Sequence, residues 1–167
     1  MKINSKAPFK VLANSPAPLT VRVRRRVHFG ECDPLGVLWH GHYAGYFSEV
    51  REALARLCGL TYEHFLQAGT SVPVKTMFVD YFIPLFFDRV YTVETSMHWS
   101  DAARINLTYQ ILDQDERVTT TGFTVQLMTD AAGILLLDSP RFYRQFLEDW
   151  AAGRMHGRLE TAKETLI

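Results

Sequence analysis

Cysteine is scarce in this chain. Cys32 and Cys58 are the only two in 167 residues, too few for a disulfide framework and in keeping with a reducing compartment. Net charge is also missing, since 18 Lys and Arg balance 18 Asp and Glu. A nucleic-acid binder usually carries a basic excess, so no nucleic-acid partner is expected. No apolar run approaches the roughly 20 residues of a membrane span. Residues 1–20 have no continuous apolar stretch of the kind that builds a signal peptide. A cytoplasmic protein is the expectation. With 47% hydrophobic residues the chain can build a core of ordinary size.

Residues 1–20, with Ala7-Pro8 and Ser15-Pro16-Ala17-Pro18, read as an extended lead-in. Residues 21–150 read as one domain and 151–167 as a polar tail. Val21 to Phe29 alternates. Val21, Val23, Val27 and Phe29 fall on one side, interrupted by Arg25, and Arg22, Arg24, Arg26 and His28 fall on the other. That is the period of a half-buried strand. Its arginines suit a solvated face better than phosphate binding. Tyr43, Tyr46, Phe47, Val50, Leu54 and Leu57 then recur at helical spacing, thickened by Ala44, Ala53 and Ala55, so a long helix is expected over about Gly41 to Cys58. A short helical piece, about 62–67, follows.

Alternation returns over Val72–Ile83, Val90–Trp99, Arg104–Leu112 and Arg117–Thr129, with Ile134–Leu137 as a short apolar strand. Ser139-Pro140 has the pattern of an N-cap followed by proline at the first helical position, opening a helix to about Trp150. Short connections favour antiparallel pairing, and strands segregated from helices indicate an α+β fold. The long helix is the one element able to cover the sheet's apolar face.

The chemistry is concentrated in Cys32-Asp33-Pro34-Leu35-Gly36-Val37-Leu38-Trp39-His40-Gly41-His42-Tyr43. On residue type alone Asp33 is a turn former. Its place seven residues before a helix start gives it a second use. Helix-start N–H groups are unpaired and partly positive, which suits the oxyanion formed when a thioester carbonyl is attacked. A nearby carboxylate can attack directly or activate water. His40 is either an orienting or catalytic side chain or a structural one. His42 points elsewhere on the helix. Cys32 alternates away from Asp33 and reads as filler. The spacing of Asp33, His40 and His42 matches no metal signature. Glu49, two helical turns beyond Gly41, reads as a charge on the solvated stripe or an ion pair with a partner such as Arg51 or Arg56, with a helix carboxylate for catalysis or a substrate contact as the other possibilities. Trp39 and Tyr43 are candidates for lining a substrate pocket. Arg104, Arg141 and the strand arginines are candidates for binding phosphates of a substrate.

Phe29 to Tyr43 resembles the opening motif of hot-dog fold thioesterases, in particular the 4-hydroxybenzoyl-CoA thioesterase family. The likeness continues through Phe47, Glu49 and Arg51, the strand Val79 to Pro84, and Asp88-Arg89-Val90. It implies a long helix wrapped by a curved antiparallel sheet of five to six strands. It also implies hydrolysis of an acyl-CoA to a free acid and coenzyme A without a further cofactor. Asp33 would be the catalytic residue, with backbone donors at His40 or Gly41. The resemblance further implies a homodimer or homotetramer with the pocket between subunits. Relatives with a basic cluster after the strand matching Val90 to Trp99 differ here, where Ser100-Asp101-Ala102-Ala103-Arg104 holds a single arginine. The competing functions are an enoyl thioester hydratase or dehydratase and a non-catalytic binder of acyl-CoA or an acyl carrier protein.

Overall fold

The computed structural model describes Phe9, residues 12–155 and the strand positions 165 and 166. Half of the lead-in and most of the tail therefore lie outside the described residues.

Alternation becomes strand where it was expected. Strand β1, Leu19–Arg26, buries every second side chain. Its inward residues Leu19, Val21 and Val23 face the core, and Arg25 lies inward with them. The chain then makes a 3-10 turn at Phe29–Glu31, so Phe29 leaves the strand and stands 81% exposed. A second 3-10 turn, His40–His42, leads into helix α1, Tyr43–Cys58. Tyr43, Tyr46, Phe47, Val50 and Leu54 are buried and Leu57 packs at the core margin, so the helical stripe is the core face. Ala44, by contrast, is exposed. Gly59 ends the helix, and α2 covers Tyr62–Gln67.

The remaining strands are β2 (Thr70–Ser71), β3 (Val74–Tyr81), β4 (Val90–His98), β5 (Arg104–Leu112), β6 (Val118–Leu127) and β7 (Thr129–Asp130), followed by α3 (Arg141–Ala151) and β8 (Thr165–Leu166). One sheet runs in the order β3-β6-β5-β4-β1-β8, and β2 pairs with β7 separately. Its first five strands pair antiparallel, while β8 joins β1 in parallel. Helix α1 lies against β1 and β4, to one side of the sheet's centre. Phe47 of α1 stacks on Tyr109 of β5, ring centres 4.3 Å apart. It reaches that position because Gly122, opposite Tyr109 on β6, has no side chain: a Cβ there would stand 2.6 Å from the Phe47 ring.

Three local expectations fail for physical reasons. Arg117–Thr129 is not one strand. Met128 donates its N–H to Ala103 O at 3.0 Å, and the chain turns there so that β7 meets β2. Ile134–Leu137 is no buried strand. Asp130 Oδ1 accepts the N–H groups of Ala132 and Ile134 at 2.9 Å each, which curls the loop and leaves Ile134, Leu135 and Leu137 exposed. Ser139 is not the cap of α3. Pro140 holds that position, and the Ser139 hydroxyl is buried without a hydrogen-bond partner among the described residues.

Candidate active site

Cys32 to Leu38 folds into a small hairpin at the end of the sheet where β1 finishes. Asp33 N–H donates to Val37 O at 2.9 Å, and Gly36 N–H returns to Asp33 O at 3.0 Å. Gly36 takes φ +75° to make the turn, a conformation that glycine adopts without strain. Asp33 Oδ1 accepts the N–H of Leu35 at 2.8 Å and, at longer range, that of Val37 at 3.4 Å. One carboxylate oxygen thus holds the turn, while Oδ2 has no hydrogen bond among the described residues. The turn-forming role and a free oxygen coexist in one side chain.

The return leg of the hairpin leads straight into the helix. Trp39 N–H donates to Glu31 O at 2.9 Å, tying the base of the hairpin shut, and His42 N–H closes the first turn on Trp39 O. Neither His40 nor Gly41 has its N–H taken up by another described residue, as expected for the first residues of a helix. The hairpin is held from outside as well: Leu38 N–H donates to Leu85 O at 2.7 Å and Phe87 N–H to Gly36 O at 3.2 Å. Asp33 and the helix-start donors therefore belong to one braced unit.

The other candidates divide. Trp39 is half exposed and packs against both neighbouring histidines, 4.9 Å from the His40 ring and 5.6 Å from that of His42. The His40 ring is exposed with no hydrogen bond among the described residues. Tyr43 is buried against Tyr81, and burial pushes its hydroxyl up to about 12. Cys32 Sγ reaches back to His28 O, away from Asp33. Arg104 is not brought to the hairpin. It opens β5 opposite Leu127, at the far end of strands whose other end adjoins Val90 and Arg26, about 27 Å away at strand rise. Its guanidinium donates to Ser100 Oγ. Arg141 is exposed at the start of α3. Among the described residues no three His, Cys, Asp or Glu side chains group as a metal ion needs.

Glu49 pairs with neither Arg51 nor Arg56. Arg51 instead donates to Gln126 Oε1 at 2.9 Å, and Arg56 pairs with Glu52. The partner of Glu49 is Arg25, through Nε at 2.9 Å. Arg25 is 9% exposed, so the strand arginines are not all solvated. Arg22, in contrast, does lie outward, on Glu94 and Glu116. Arg25 also holds Glu31 Oε1 through Nη2 at 2.6 Å, and its guanidinium lies 4.8 Å from the centre of the Tyr46 ring. The second oxygen of Glu31 accepts the Tyr46 hydroxyl and the His28 N–H, both at 2.8 Å. The sequence hint to this cluster was the arginine interrupting the apolar side of β1.

Burial pulls the Glu31 carboxyl upward, but the hydrogen bonds from His28 and Tyr46 and the charge of Arg25 outweigh it and hold it below its ordinary 4.5. A depressed carboxyl contributes stability above its unfolded value and loses it as pH falls through the folded one. Thermal melts should therefore show Tm dropping as pH goes below about 4.5. Glu31→Gln should flatten that drop while lowering Tm at neutral pH.

A cleft of about 960 Å³ lies elsewhere. It runs along α1 beyond Ser48, between Glu49, Arg51 and Ala55 on the helix and Leu107 and Gln126 on the sheet. Of the residues expected to form the site, Glu49 alone lines it.

The profile of the thioesterase-like superfamily matches residues 27–149, a stretch that begins just after β1 and takes in the whole hairpin, α1 and strands β2 to β7. The chain belongs to that superfamily. A curated Aquifex aeolicus protein named "Putative esterase" is 30% identical over 92 residues, 55% of this chain and 72% of that protein. Among solved structures, a 1,4-dihydroxy-2-naphthoyl-CoA thioesterase from Synechocystis superposes with TM-score 0.69 at 16% identity, over 78% of this chain and 96% of its own. A Staphylococcus aureus protein solved in complex with CoA gives 0.70 at 15%, over 84% and 88%. At such identities the structures show a shared fold, and the hot-dog architecture of this thioesterase-like chain agrees with them. Among the described residues no helix is long and apolar enough to cross a membrane.

Proposed function

We propose that the protein hydrolyses acyl-CoA thioesters to a free acid and coenzyme A, with Asp33 as the reacting carboxylate. The observation that carries this reading is the braced hairpin: one oxygen of Asp33 is committed to the turn and, among the described residues, the other is free, on a segment tied to helix-start donors that are likewise unpaired there. The thioester oxygen would lie against the N–H groups of His40 and Gly41, which stabilise negative charge as it develops. Asp33 Oδ2 would either attack the carbonyl carbon, expelling the thiolate and leaving a mixed anhydride for water to open, or take a proton from the attacking water. The leaving thiol has an ordinary pKa of about 8.5, so it departs with little proton assistance. Family membership supports the reaction class. The names of the 1,4-dihydroxy-2-naphthoyl-CoA thioesterase and of the CoA complex support coenzyme A as the carrier.

The test is thiol release from a panel of short, long and aromatic acyl-CoAs. Turnover of any member is expected. Tight binding with no thiol released would make the protein a binder, and loss of the conjugated double bond of crotonyl-CoA without thiol release would make it a hydratase.

The working unit in this reading is a pair of chains. Strand β3 forms one edge of the sheet, and its Val74, Met77, Phe78 and Tyr81 are 40–49% exposed. An apolar edge of this kind invites strand pairing. Sedimentation equilibrium should give a dimer or a tetramer, and Met77→Lys should shift it toward monomer.

A further inference from the structure

Arginine on the core side of a strand needs an explanation, because an unpaired buried charge costs several kcal/mol. Arg25 satisfies its fork on three sides: Glu31 through Nη2, Glu49 through Nε, and Arg26 O through Nη1 at 2.9 Å. Those partners belong to different parts of the molecule. Glu31 is the last residue of the 3-10 turn, two positions before Asp33. Its main-chain oxygen accepts the Trp39 N–H that immediately precedes the helix-start donors. Glu49 sits in the second turn of α1. One planar cation therefore joins β1, the base of the hairpin and the helix.

Tyr46 completes the arrangement from the helix side. Its ring lies under the guanidinium and its hydroxyl donates to the Glu31 oxygen that Arg25 does not use. Glu31 is thus gripped by strand and helix at once. A shift of Glu31 would carry both the Asp33 side of the hairpin and, through Trp39, the start of the helix.

We propose that Arg25 is a positioning residue for hydrolysis, its bidentate grip on Glu31 and Glu49 fixing the spacing between the Asp33 carboxylate and the N–H groups of His40 and Gly41. The inference rests on the assignment of Asp33 as the reacting carboxylate. It makes the fork geometry the decisive property. A lysine keeps the charge but is a single point cation, and it cannot hold two carboxylates in fixed directions. A misplacement of about 1 Å between reacting groups lowers rate by about 10²-fold.

Arg25→Lys, Glu31→Gln and Tyr46→Phe are to be compared with wild type by steady-state thiol release and by thermal melts, with Asp33→Asn as reference. The expected result for Arg25→Lys is a Tm close to wild type with kcat down by about 10²-fold and KM within about threefold, because substrate contacts are untouched. Glu31→Gln should fall in the same direction, and Tyr46→Phe, which loses one bond of the grip, by less. A residue that merely held the fold together would instead regain kcat together with Tm in the lysine variant, and that outcome overturns the proposal. So does wild-type kcat in a folded Glu31→Gln, which decides the matter should Arg25→Lys fail to fold. Full activity in Asp33→Asn would sink the Asp33 assignment itself. An inactive Asp33→Asn beside fully active Arg25 and Glu31 variants would sink only the role of Arg25.

Discussion

Asp33→Asn should lose thioesterase activity by between about 10² and 10⁴-fold, the range that a positioned proton-transfer group contributes, while folding and assembling as before. The substitution is clean because of how Asp33 is used. Its Oδ1 accepts the N–H of Leu35 and of Val37, and an asparagine carbonyl oxygen makes the same turn. What asparagine removes is the second carboxylate oxygen, the one with no partner among the described residues. Turn and chemistry are thereby separated in one change. The measurements are thiol release under saturating acyl-CoA and the thermal midpoint of the same preparation. Wild-type turnover with an unchanged midpoint would mean that Asp33 is a turn residue alone. Asp33→Ala is the less informative variant, because it deletes both oxygens and loosens the hairpin as well.

The largest expected effect on stability comes from Gly122. A Cβ at this position would stand 2.6 Å from Phe47 Cε2 and 2.7 Å from the carbonyl oxygen of Phe78. The ring is already stacked on Tyr109, 6° from parallel, so it has no sideways freedom, and the carbonyl belongs to the neighbouring strand. Gly122→Ala should cost about 3 kcal/mol, the upper part of the range for overpacking a filled core. In urea the midpoint should move down with the slope unchanged. Phe47→Leu in the same chain should recover part of the loss by withdrawing the ring, but not all of it, because the Phe78 carbonyl remains. A Gly122→Ala protein as stable as wild type would mean that both α1 and the backbone of β3 can move away from β6 at little cost.

Much of this architecture was legible in the sequence because its signals are periodic. Strand alternation located β1 and β3 to β6, and the stripe from Tyr43 to Leu54 located α1 and its buried face. The hairpin was legible for a different reason: Asp, Pro and Gly each have local conformational preferences that act within a few residues. Signals fail where an outcome depends on distant partners. Arg25 reads as a blemish in an alternating strand until the fold brings it Glu31, six residues away, and Glu49, 24 away. The partner of Glu49 was missed for the same reason, since its helix offers nearby arginines and the strand arginine is out of sight. At Ser139-Pro140 the local motif was present, but the serine side chain was drawn into the interior, leaving the cap to Pro140. Ile134–Leu137 failed because the Asp130 side chain organises the loop before any strand can form.

The two margins of the sheet are unlike. On one side β3 presents backbone groups with no neighbour among the described residues. On the other, β8 lies along β1 at Val23 and Arg24, and the outward side chains there are the arginines 22, 24 and 26. A sheet open on both margins could add copies without limit, head to tail, as fibres do. One open margin and one partly covered and lined with arginines favour the meeting of like with like. Two chains joined through β3 would leave no sticky edge behind, so growth stops at the first encounter, and a concentrated solution of this protein should stay clear instead of gelling.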